Sequence, residues 1–140
     1  MTPNFTLAEL TITNHRSLDN TPDPASRANL QRLAVFLELV KDRLGGRPIM
    51  VSSAYRSAAV NAACGSRETS QHRLGCAADV RVPGMTPGAV VRAVMASGLA
   101  YDQIIREFDA WTHISIPNTP TAAPRKSALI IDRAGTRTFA

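Results

Sequence analysis

The segment Ala77-Ala78-Asp79-Val80-Arg81-Val82 places one acid inside a run that otherwise reads as a buried strand. A carboxylate taken out of water needs a compensating partner, and a metal ion is one such partner. Candidate co-ligands lie on both sides. His72 precedes Asp79 by seven positions in Ser70-Gln71-His72-Arg73-Leu74-Gly75-Cys76, and His113 follows in Trp111-Thr112-His113-Ile114-Ser115. If the three act together, the fold has to bring a loop and two separate strands to one point.

The chain's 140 residues are the length of one ordinary domain, long enough to bury a core without staples. An apolar share of 44% and a charged share of 19% mark a globular chain rather than a disordered one. The net charge of +5 suits an anionic partner, either nucleic acid or an anionic polymer such as a bacterial cell wall, as well as a plain solvated surface. No stretch combines clustered basic residues with aromatics, which argues against nucleic acid. No apolar run approaches the ~18–20 residues of a membrane span. Met1 to Leu10 lacks the basic and apolar regions of a signal peptide, so the chain is expected to be made in the cytoplasm. Cys64 and Cys76 form no CxxC pair and are expected to be small, buried, reduced thiols. A monomer is the default expectation.

Local patterns predict alternating helices and strands. Thr6 and Glu9 have capping-box spacing, with Phe5 at the staple position. Thr11 to Pro24 reads as a loop that contains His15. Asp23-Pro24 starts a long helix whose apolar residues run from Leu30 to Leu44, and Gly45-Gly46 ends it. Pro48 to Ser52 reads as a strand, Ala58 to Ala63 as a short helix, and Ala77 to Val82 as a second strand. Thr86-Pro87 opens a helix to about Ser97. Tyr101 to Phe108 and Trp111 to Ile116 pair as a hairpin, and Ala128 to Asp132 with Thr136 to Phe139 as another. The fold class is α+β, one domain over residues 1–140, with helices packed on a central antiparallel sheet.

Two imidazoles and a carboxylate are a ligand set of catalytic zinc sites, which keep a fourth position open. The spacing between His72 and Asp79 is weak by itself, because a satisfied polar pair has the same pattern. The surroundings are more specific. Ser52-Ser53-Ala54-Tyr55-Arg56-Ser57, Val60-Asn61, Ser70-Gln71-His72, Gly75-x-Ala77-Ala78-Asp79-Val80 and Trp111-x-His113-Ile114-Ser115 occur in this order. Together they resemble the zinc D-alanyl-D-alanine carboxypeptidases. The closer likeness is to the single-domain branch of phages and prophages, which includes peptidoglycan-cleaving lysins. That fold is shared with the hedgehog signalling domain and the vancomycin-resistance D,D-dipeptidases. The likeness covers about residues 5–117.

The resemblance implies one zinc ion per chain held by His72, Asp79 and His113, with Arg56 facing the substrate. It implies a hydrolase, a metallopeptidase acting as carboxypeptidase or endopeptidase on the peptide stem of peptidoglycan. Action would be at the bacterial cell wall, by a phage- or prophage-encoded enzyme. Ser70, Gln71 and Tyr55 are candidate substrate-side residues, with Trp111 and Tyr55 equally suited to core packing. Several relatives carry an acid three positions before the last zinc histidine, where this chain has Ala110. Glu107 ends the strand paired with that of His113 and stands in the Glu-Phe setting of the phage branch, so the resemblance makes it the expected general base, with Asp109 the runner-up. The missing acid also supports an alternative: a zinc-containing binding or structural module on the same fold, with little or no peptidase activity.

Overall fold

Capping chemistry sets where the helices begin. In the computed structural model, which describes residues 1–140, Thr6 and Glu9 cap each other reciprocally at the start of α1 (Leu7–Leu10). The Asp23 carboxylate accepts from the Ser26 amide, and Pro24 occupies the first turn of α2 (Pro24–Arg43). Leu30, Leu33, Ala34, Leu37 and Val40 are fully buried along α2, the apolar stripe of a helix that covers a core. Thr86 and Pro87 start α4 (Pro87–Ala96) in the same manner, and the short α3 (Ala58–Ala63) is capped by Ser57.

Six strands form one sheet: β1 (Met50–Ser53), β2 (Ala77–Arg81), β3 (Gln103–Glu107), β4 (Trp111–Ser115), β5 (Ser127–Asp132) and β6 (Gly135–Thr138). Their spatial order is β1-β2-β4-β3-β5-β6. Both expected hairpins, β3–β4 and β5–β6, are present. The expectation of an antiparallel sheet holds except at one junction, where β5 runs parallel to β3. The proline-rich segment 117–126 carries the chain from the end of β4 back to the start of β3, so Ser127 pairs with Gln103 and β5 sets off in the same direction.

The period-two alternation of strands gives the sheet two different faces. Ala78, Val80, Ile104, Ile114 and Ile130 join the stripes of α2 and α4 in one buried cluster. Asp79, His113, Ile105 and Glu107 stand on the opposite face, by register across β2, β4 and β3. That face is left open by the helices and becomes the floor of the site.

The segment expected as a loop around His72 contains a 3₁₀ turn, Gln71–Leu74, closed by Gly75 at φ +78°. The two cysteines differ, contrary to expectation. Cys76 is buried, whereas Cys64 follows the C-terminal end of the six-residue α3 and is exposed. No helix is long and apolar enough to cross a membrane.

Candidate metal centre

Register brings the first two groups together. Asp79 on β2 lies directly opposite His113 on β4, and His113 Nδ1 is 3.2 Å from Asp79 Oδ1. His72 arrives from the 3₁₀ turn, with Nε2 3.3 Å from the same oxygen. The two imidazoles meet edge to face, centroids 5.1 Å apart. One ligand atom from each of the three lies within 4.8 Å of the others, and all three residues are buried.

The chain also orients these groups. His72 Nδ1 is 2.7 Å from the Ala54 carbonyl oxygen. Anchoring Nδ1 on that carbonyl turns Nε2 toward Asp79, and Nε2 is the nitrogen that this histidine can offer to a metal. Burial opposes ionisation of Asp79, but hydrogen bonds from His113 and His72 outweigh it and hold the carboxyl well below the usual range. A buried anion bracketed by two imidazole nitrogens is a donor set that matches zinc in element and number.

Arg56 follows β1 and points into the same pocket. Its Nε donates to Ser53 Oγ and its Nη1 to Ser66 Oγ, each at 3.0 Å, while Nη2 reaches Asp79 Oδ2 at 3.3 Å. Three of the five guanidinium N–H groups are thus engaged, which leaves two for a ligand. Ser66, in the loop after α3, was not among the sequence candidates. The Ala54 carbonyl was equally invisible, being a backbone group.

Glu107 ends β3 opposite Trp111, and its Oε1 is 3.8 Å from His113 Nδ1. Burial, reinforced by the Asp79 charge, pushes its carboxyl above the ordinary value. Asp109 is exposed at the hairpin tip, and its φ is +51°. Ala110 is exposed in the same turn, where its carbonyl accepts from Arg81 Nε. Together, Arg56, Ser66, Ser70, Glu107 and Trp111 line a pocket of about 320 Å³ around the three candidate ligands.

Two sequence candidates are buried, and one of them lies away from the pocket. Tyr55 is 3% exposed and belongs to the core cluster, so it does not face the pocket. Gln71 is also buried, and its Nε2 lies within hydrogen-bond distance of Asp102, the Ile116 carbonyl and Asn118, which fixes the 3₁₀ turn, while the residue borders a second groove beside the metal pocket. Cys76 turns away from the centre toward Arg32, whose Nη2 is 3.8 Å from Sγ.

No curated protein matches the chain. A family model does, over residues 3–115, which span every group in the centre. The family is described as peptidase M15, and the chain belongs to it.

Proposed function

We propose that residues 1–140 form a single zinc peptidase domain that hydrolyses an amide bond in the peptide stem of bacterial peptidoglycan. The observation that carries this reading is the buried His72, Asp79 and His113 group, with the Glu107 carboxyl 3.8 Å from one of its imidazoles. Membership of the peptidase family supports the reaction class.

In this reading His72 Nε2, Asp79 Oδ1 and His113 Nδ1 hold the ion. Bound there, zinc supplies Lewis acidity, which lowers the pKa of a water to about 7 and polarises a carbonyl oxygen. Glu107 accepts a proton from the attacking water and returns it to the departing nitrogen, a role for which a raised carboxyl pKa is suited. The two free N–H groups of Arg56 bind a peptide carboxylate or the oxyanion as it forms. Ser70 lines the pocket and is assigned to the substrate in this reading. The motif pattern extends the reading to a phage- or prophage-encoded enzyme, the basic charge suits an anionic cell wall, and a monomer is the default state.

The test is digestion of purified peptidoglycan and of a synthetic stem pentapeptide by the zinc-loaded protein, with products identified by mass. Release of terminal D-alanine, or of a cross-linked fragment, distinguishes carboxypeptidase from endopeptidase action. If neither substrate is cut by the parent, or His72→Ala cuts them equally well, the proposal is wrong.

A further inference from the structure

The region matched by the peptidase family ends at Ser115, but the sheet continues. β5 and β6 add two strands beyond β3, and a buried carboxylate anchors them. Asp102, 4% exposed, accepts from the Arg125 backbone amide at 2.9 Å and from Arg125 Nε and Nη2 at 3.0 and 2.6 Å. It also accepts from Gln71 at 3.0 Å, beside His72. The added strands are therefore fixed relative to the turn that carries a candidate ligand.

Their placement extends the open face. β5 pairs with β3 so that Ile131 lies beside Glu107 and shares the face of His113. A groove of about 890 Å³ results, and it shares Ser66, Ser70 and His113 with the metal pocket. Ile105 and Ile131 give it an apolar floor, Arg67 and Arg125 border it, and no acidic residue lines it. The metal pocket is smaller, about 320 Å³, and contains Asp79 and Glu107. Arg56, which follows β1, meets the rim of this groove at Ser66, while the groove's floor lies over β3 and β5, beyond β4 from β1.

We infer that this groove is a subsite for the part of the substrate that lies over β3 and β5, beside the metal pocket, and that it selects a peptide bearing a side-chain carboxylate. The isoleucine floor takes the aliphatic part of that residue, and Arg67 with the exposed part of Arg125 takes its carboxylate. This inference rests on the peptidase reading and narrows its substrate class.

Two synthetic peptides, identical except that one carries a side-chain carboxylate and the other the carboxamide, test it. The parent should prefer the carboxylate peptide by about tenfold in kcat/KM, the scale of one charge-assisted hydrogen bond. Arg67→Glu should abolish or reverse that preference, and Ile131→Glu should weaken it. Arg27→Glu makes the same charge change on exposed α2 and should keep it. Arg125 is left intact because Asp102 depends on it. Equal turnover of both peptides by the parent, or an unchanged preference in Arg67→Glu, overturns the inference and leaves the peptidase reading standing. If the parent cuts neither peptide, the peptidase reading fails, and binding then decides the groove. Trp111, the single tryptophan, lines the metal pocket and reports binding by fluorescence. Tighter binding of the carboxylate peptide, lost in Arg67→Glu, supports the subsite. Equal or absent binding overturns it.

Discussion

Arg56 Nη2 and Asp79 Oδ2 lie 3.3 Å apart, so a cation that lines the pocket is joined directly to a candidate metal ligand. The other Asp79 oxygen faces both imidazoles. In the proposed function, Arg56 would therefore act on the ion through its ligand as well as on the substrate. Arg56→Lys keeps the charge but loses the planar fork that spans Ser53, Ser66 and Asp79. Loss of such an outer partner costs roughly 10–100-fold in metal affinity. We expect Arg56→Lys to lower zinc affinity on that scale, read by competition with a chromogenic chelator. An affinity equal to the parent's would confine Arg56 to the substrate.

Removal of a ligand should be more severe than removal of its neighbour. His113→Ala leaves Asp79 and His72 as the only donors of the group, too few for a closed three-ligand site. Elemental analysis of the purified protein should find about one zinc per chain in the parent and close to none in the variant. Chelation of the parent should abolish peptide hydrolysis, and added zinc should restore it.

Glu107 and Asp109 are separated by the same experiment on two variants. Glu107→Gln keeps the shape of the pocket wall but cannot hold a proton. Its turnover should fall by roughly 10²–10⁴-fold, the usual contribution of a general base, with zinc content unchanged. Asp109→Asn, at an exposed turn, should stay within about twofold. The reverse pattern would move the base to Asp109. No turnover in the parent would favour a zinc-containing binding module.

The helices and strands were legible because their signals are local. Asp23-Pro24 and Thr86-Pro87 mark helix starts, and the apolar spacing from Leu30 to Val40 is that of one helix face. The gathering of His72, Asp79 and His113 could be read only by resemblance, since their proximity depends on a β2–β4 register that no local pattern encodes. Tyr55 shows the limit of motif reading. It adjoins Arg56 in sequence, yet alternation along the extended chain sends one side chain into the core and the other into the pocket. Ser66, the Ala54 carbonyl and the parallel β3–β5 pairing were not legible, because each is fixed only by tertiary packing.

Acid should loosen the C-terminal strands before the rest of the sheet. Burial opposes ionisation of Asp102, but hydrogen bonds from Arg125 outweigh it and hold the carboxyl below its ordinary value. Hydrogen bonds from Arg137 bring Asp132 down to about 2. Both folded values lie below the unfolded value of about 3.9. Their stabilisation is therefore complete above that pH and is lost as pH falls through the folded values. Hydrogen exchange, corrected for its intrinsic pH dependence, should lose protection in β6 between about pH 4 and pH 2 while β2 and β4 remain protected. Simultaneous loss in all three strands would show that these carboxylates do not hold the hairpin separately.

Gly75 joins the turn of His72 to the strand of Asp79, and its side-chain position is closed twice over. Its φ of +78° is left-handed, and a Cβ there would meet the Ser26 carbonyl oxygen at 2.7 Å and Leu30 Cγ at 3.1 Å. Gly98 has a similar φ of +76° with nothing within 4 Å of the added carbon. Gly98→Ala should therefore cost only the left-handed penalty of about 1–2 kcal/mol. Gly75→Ala adds a clash with backbone that cannot swing aside, and its total should reach roughly 2–4 kcal/mol. Urea midpoints at an unchanged m-value measure both costs. The clash also has a direction. It drives Gly75 away from the start of α2 and takes His72, three residues earlier, with it. Gly75→Ala should thus weaken zinc binding, whereas Gly98→Ala should not. Equal zinc affinity in the two variants would mean that the Ala54 hydrogen bond to His72 holds the ligand in place regardless of the turn that carries it.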